Sequence, residues 1–97
     1  MTTKPQTYTV TVSALALHQL EEACAYIHAQ GAPLAAQRMA ARFITAIETL
    51  ERHPERGRRV AHGVHELLIV QPYLIRYRIR ASLVEVVRIR HAAQRSK

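Results

Sequence analysis

The stretch "YRIRASLVEVVRIRH", residues Tyr77 to His91, decides the fold. Polar and apolar residues alternate on both sides of Ala81-Ser82, the pattern of two strands joined by a tight turn. With Ala81-Ser82 as a two-residue turn, Arg80 faces Leu83, Ile79 faces Val84, Arg78 faces Glu85 and Tyr77 faces Val86. One face then carries Tyr77, Ile79, Val84 and Val86, which suits packing against helices. The opposite face carries Arg76, Arg78 and Arg80, where Glu85 can pair with only one of them. The second strand adds Leu83, Val87 and Ile89 to that opposite face. A strand apolar on both sides belongs inside a sheet. Arg88 and Arg90 project near its end, so the basic groups are expected on an exposed sheet face and a C-terminal rim.

Upstream, "HELLIV" (65–70) and "YLIRYRI" (73–79) read as strands joined at Gln71-Pro72, followed by "LVEVVRI" (83–89). Links this short favour antiparallel hairpins. "PERGRRVAHG" (54–63) has the Pro, Gly and charge content of a loop. Before it stand two helical patterns. Ser13 is a candidate N-cap for the first, whose apolar stripe is Leu17, Leu20, Cys24 and Ile27 and whose stop is Gly31. Pro33 suits the first turn of the second, which carries Ala36, Met39, Phe43, Ile47 and Leu50 along one side. His53-Pro54 closes it, because a residue before proline resists helical angles. "TYTVTVS" (7–13) reads as a first strand. The expected order is β-α-α-β-β-β: an α+β domain with a helical hairpin on one face of a small antiparallel sheet.

Ninety-seven residues make one such domain, 1–97, with residues 1–6 and 93–97 as expected tails. At 48% hydrophobic and 22% charged, the composition is that of a globular protein. Nothing approaches the ~20 continuous apolar residues of a membrane helix. The opening "MTTKPQTYTV" lacks the apolar core of a secretory signal. Cys24 has no second cysteine to pair with, which fits a reducing compartment; a cytoplasmic location is expected. The net charge of +7 is unevenly spread. Residues 1–51 hold Lys4, Arg38 and Arg42 against Glu21, Glu22, Glu48 and Glu51. Residues 52–97 hold ten arginines and Lys97 against Glu55, Glu66 and Glu85. A half this basic implies an anionic partner, nucleic acid or acidic protein. The preference for Arg over Lys points to planar, bidentate contacts.

The helical hairpin, "PERGRRV", "HELLIVQPYLIRYRI" and "VEVVRIRHAAQR" together resemble the ParE branch of the RelE/ParE superfamily of type II toxin–antitoxin toxins. In that family a Pro-x-x-Gly-Arg loop follows the second helix, as Pro54, Gly57 and Arg58 do here. A strand with Glu-Leu leads to one with Tyr-x-x-x-Tyr-Arg, matched by Glu66-Leu67 and by Tyr73, Tyr77 and Arg78. The chain closes on His-x-x-x-Arg, matched by His91 and Arg95. The resemblance spans roughly residues 7–95. It departs at His65, where arginine is usual, and at Leu74, where arginine is frequent, with Arg76 two places on.

The resemblance implies a small basic toxin in a hetero-oligomer with an acidic, ParD-like antitoxin. ParE-like members poison DNA gyrase; RelE-like members cut messenger RNA on the ribosome. On this basis Arg88, Arg90, His91 and Arg95 are the expected target-contacting surface. Arg58, Arg76, Arg78 and Arg80 are the expected antitoxin-binding set. RNA cleavage needs a base for the 2′-hydroxyl, a cation for the phosphorane and an acid for the leaving oxygen. Here both lysines lie in expected tails and Leu74 replaces an arginine, although His91 offers an acid and Arg76 or Arg88 a phosphate clamp. Arginines are poor bases, so the expectation is a gyrase inhibitor and not an enzyme. An mRNA interferase and a non-toxic nucleic-acid-binding module remain the alternatives, the latter short of the aromatic residues single-strand binders use.

No metal or cofactor is expected. His62 and His65 are three apart but have no Cys or Asp beside them. Cys24 lies on an apolar stripe and reads as core. Tyr73 and Tyr77 read as core tyrosines with hydroxyls at the edge. His91 stands equally as a strand-end histidine or as part of the toxic surface.

Overall fold

The structure is a computed structural model and describes residues 7–93. Lys4, Arg95, Lys97 and the expected tails, apart from Ala93, lie outside the described residues. Strand β1 (Thr9–Val12) leads into helices α1 (Ala14–Ala29) and α2 (Pro33–Arg52), which form a hairpin on one face of the sheet. A 3-10 turn at Pro54–Arg56 follows, and then β2 (Arg58–Ala61), β3 (Val64–Val70), β4 (Tyr73–Arg80) and β5 (Leu83–His91). The sheet runs β1-β5-β4-β3-β2.

Two expectations need correction. The segment 54–63 is not all loop: Arg58 and Arg59 pair with Glu66 and His65, adding an edge strand. Its Gly, Pro and charge content masks a strand that has no buried side to print an apolar alternation. Nor is the sheet wholly antiparallel, since β1 lies parallel to β5. The alternation in 7–13 marks a strand but leaves its direction and neighbour to the helical crossover. That placement puts β5 inside the sheet, as its two-sided apolar character requires.

The β4–β5 hairpin has the expected register, with Arg80 opposite Leu83, Ile79 opposite Val84, Arg78 opposite Glu85 and Tyr77 opposite Val86. Ala81 turns the chain at a φ of 52°. One residue further the register slips, so that Arg76 faces Arg88 and Val87 is the extra residue of a bulge. Strict alternation puts Ile89 with the arginines; the bulge reverses the parity. Ile89 is buried in the core opposite Ile75, and Arg88 and Arg90 share the open face with Arg76. Ser13 secures the bulge. It is the N-cap of α1, accepting from Ala16 N–H at 3.0 Å, while its hydroxyl donates to Val87 C=O at 3.1 Å and its N–H to Val86 C=O at 2.9 Å.

The core lies between hairpin and sheet: Ala16, Ala23, Met39, Phe43, Ala46 and Leu50 against Ile69, Ile75, Tyr77, Val84, Val86 and Ile89. The α2 stripe is as expected, with Ile47 half-buried. In α1 the buried positions are Ala16 and Ala23, and Leu17 is 47% exposed. Small residues at the contact let α1 lie close to β5, which turns Leu17 outward. Where β1 ends, Gln19 continues its work, its Oε1 accepting from Ile89 N–H at 2.8 Å. At the far end Gly31 (φ 81°) closes α1, and Cys24 donates through sulfur to Ala36 C=O at 3.7 Å. Burial pushes the Cys24 thiol up, consistent with a core residue.

Candidate functional site

The register of four adjacent strands sets Arg58, Glu66, Arg76 and Arg88 in one row across the open face. Residues directly opposite across strands share a face, so their side chains crowd together. Glu66 lies at the bottom of this row, only 4% exposed. Its Oε2 accepts from Arg76 Nε (3.0 Å) and Nη2 (2.8 Å) and from Arg90 Nε (3.0 Å), and its Oε1 accepts from Arg90 Nη2 (3.0 Å). Three strands thus meet on one carboxylate. Arg90, then Arg76, hold its pKa below the usual carboxylate range against the opposing effect of burial. A carboxylate so stabilised is a poor proton acceptor.

Around this centre Arg58 and Arg78 are exposed and Arg88 is half-buried, and none makes an ion pair among the described residues. Arg80 reaches Glu85 at 3.8 Å, so Glu85 neutralises Arg80 rather than Arg78 directly opposite. Between the arginines runs a groove of about 360 Å³ lined by Val60, Ala61, Val64, Arg76, Arg78 and Val87. The next row holds Leu68, Leu74 and Arg90.

The Pro54–Arg58 turn is a structural support. The Tyr77 hydroxyl, fully buried, accepts from Gly57 N–H at 2.8 Å and donates to Pro54 C=O. A Cβ on Gly57 would lie 2.4 Å from that hydroxyl and 2.7 Å from the Glu66 carbonyl oxygen, so only glycine fits. His65 stacks on Tyr77 with ring centres 5.5 Å apart. His62 faces Arg59 instead, and no metal-binding cluster exists among the described residues.

At the C-terminal end of β5 the His91 ring meets Tyr73 edge-on at 5.3 Å, and its Nδ1 accepts from Ala93 N–H at 3.1 Å. In its neutral form the ring therefore carries its proton on Nε2. His91 and Tyr73 line a cleft with Gln19, Glu22, Ala23 and Ile89. So the structure brings Arg58, Arg76, Arg78, Arg80, Arg88 and Arg90 to one face and sets His91 at its end. Arg95 lies outside the described residues. Arg76 from the expected antitoxin-binding set and Arg90 from the expected target-contacting set meet on one carboxylate, Glu66. Sequence reasoning missed Glu66 as the centre. Its signal was the one acidic residue in a mostly apolar strand, at the parity of the basic face.

Residues 10–96 match the model of the ParE toxin of the type II toxin–antitoxin system parDE. The chain belongs to the ParE toxin family. Toxin RelE2 of Caulobacter vibrioides is 54% identical to this family member over 65 residues, 67% of this chain and 74% of that protein. Putative toxin Y4kP of Sinorhizobium fredii is 40% identical over 81 residues, 81% and 82% of the two chains. The same fold occurs in a chain from the chromosomal ParDE TA system of P. aeruginosa, with a TM-score of 0.74 at 14% identity, covering 89% of this chain and 97% of that one. Among the described residues no helix is long and apolar enough to cross a membrane.

Proposed function

We propose that this ParE-family toxin arrests growth by binding DNA gyrase, without chemistry of its own, and is silenced by an acidic ParD-like antitoxin laid over the basic face. The Arg76–Glu66–Arg90 clamp carries this reading. A ribonuclease at that position needs a proton acceptor beside a phosphate clamp. Glu66 is buried beneath two guanidiniums that hold it ionised, and the face carries no lysine among the described residues. Leu74 adds apolar surface beside Arg90, where a nuclease of this superfamily carries arginine. For the antitoxin, the basic face supplies charge, and Leu15, Leu17 and Ile44 on the helical hairpin are exposed apolar side chains. Purified toxin at micromolar excess is expected to inhibit gyrase supercoiling; intact supercoiling together with growth arrest sinks the proposal.

One observation favours the interferase instead. His91 is held edge-on to Tyr73 at the end of the strand that carries Arg88 and Arg90, a placement suited to a general acid. Primer extension on translated messages separates the two, since an interferase leaves discrete codon-linked cuts and a gyrase inhibitor leaves none.

A further inference from the structure

A face that attracts anions gains nothing electrostatically from a buried carboxylate at its centre. Glu66 lowers the local charge by one, so its place calls for a geometric reason. Two facts supply it. Arg76 and Arg90 come from different strands, and both spend Nε and Nη2 on the same carboxylate at 2.8–3.0 Å. The row through Glu66 also contains Arg58 and Arg88, so the carboxylate sits at the crossing of the basic groups. Long arginines left to themselves sample many rotamers, and a partner that orders them loses affinity in doing so. Pinned on Glu66, they are ordered before any partner arrives.

We propose that Glu66 is the positioning residue of a carboxylate-recognition surface, and that this surface takes an extended acidic segment of a partner polypeptide with apolar side chains between its acids. The proposal rests on the antitoxin reading above and narrows it to a segment chemistry. The apolar floor, Val60, Ala61, Val64 and Val87, takes the side chains between the acids, while the ordered Arg76 and Arg90, with Arg58, Arg78 and Arg88 around them, meet the acids. Nucleic acid is disfavoured because the groove lining offers no aromatic ring for a base to stack on.

The test uses the full chain and two probes of equal charge: a synthetic peptide alternating valine with aspartate, and a single-stranded oligonucleotide. Glu66→Gln keeps the shape and raises the net charge by one. Arg90→Lys keeps every charge and removes the planar fork. Both are expected to weaken peptide binding between about tenfold and a hundredfold, the size of a lost charge-assisted hydrogen bond. Both should also collapse the distinct, slowly exchanging Nε–H signals of Arg76 and Arg90 in the NMR spectrum, which a loss of overall stability alone does not do. Arg78→Glu reports on the surface itself and is expected to weaken peptide binding as well. If Glu66→Gln binds the peptide as well as or better than the parent while Arg78→Glu binds worse, attraction is by charge count and the positioning role is wrong. If Arg78→Glu binds unchanged, the surface is misplaced and the antitoxin reading of this face falls with it. Tighter binding of the oligonucleotide than of the peptide overturns the choice of partner.

Discussion

The two faces of one sheet are held by different physics. On the helix side Ile75, Tyr77, Val84 and Val86 are fully buried, and burial of apolar area stabilises them. On the other side the same strands carry Arg76, Arg78, Arg88 and Arg90, of which Arg76 and Arg90 are held over Glu66 by charged hydrogen bonds. Every second residue of β4 packs toward the helices and the ones between face the open side of the sheet. The difference teaches where mutations will act: on the first face they should cost stability, and on the second they should cost binding.

The strongest way to break this contrast is Ile75→Ala. It empties a fully buried site and is expected to cost about 2–5 kcal/mol, read as a lower urea midpoint. A cost under about 1 kcal/mol would show that the helix face is not the main source of stability. Next comes Tyr77→Phe, which leaves Gly57 N–H and Pro54 C=O without their partner and should cost about 1–3 kcal/mol. Unchanged stability in the same titration would mean that water replaces the hydroxyl and that the Pro54–Arg58 turn is not held by Tyr77.

Glu66→Gln sharpens the comparison through pH. The folded-state pKa of Glu66 lies below its unfolded value. Its contribution is therefore complete above the ordinary carboxylate range and is lost as pH falls through the lower folded value. The parent should lose stability in acid more steeply than the glutamine variant. The gap at neutral pH should be about 1–2 kcal/mol, reduced because Arg76 and Arg90 keep part of their hydration. Parallel acid limbs in thermal melts would remove Glu66 as a linked group. The smallest effect belongs to Arg80→Ala, whose pairing with Glu85 is exposed: roughly 0–0.5 kcal/mol, fading further in high salt. A larger loss would make the rim part of the stabilising machinery.

The helical hairpin and the β4–β5 turn were legible because they depend on near neighbours: Pro33 at the start of α2, Ser13 as N-cap, Gly31 as stop and the apolar stripe of α2. Strand β2 was hidden because an exposed edge strand has no apolar alternation to display. The basic face was legible as composition, yet its membership was not. One bulge at Val87 moves Ile89 into the core and brings Arg88 and Arg90 across, and a bulge is fixed by backbone partners, here Ser13 from the other end of the chain.

The sequence by itself determined every element but β2, their order, the side of each hairpin strand near its turn, and the family. Those rest on local periodicity, capping and turn chemistry, which short stretches carry in full. Only the tertiary structure decided that β1 lies parallel to β5, that the 54–63 segment contributes a strand, and that Glu66 gathers Arg76 and Arg90. Each of these depends on groups far apart in the chain meeting across a sheet, where register sets which charges share a row, and no single segment encodes that meeting.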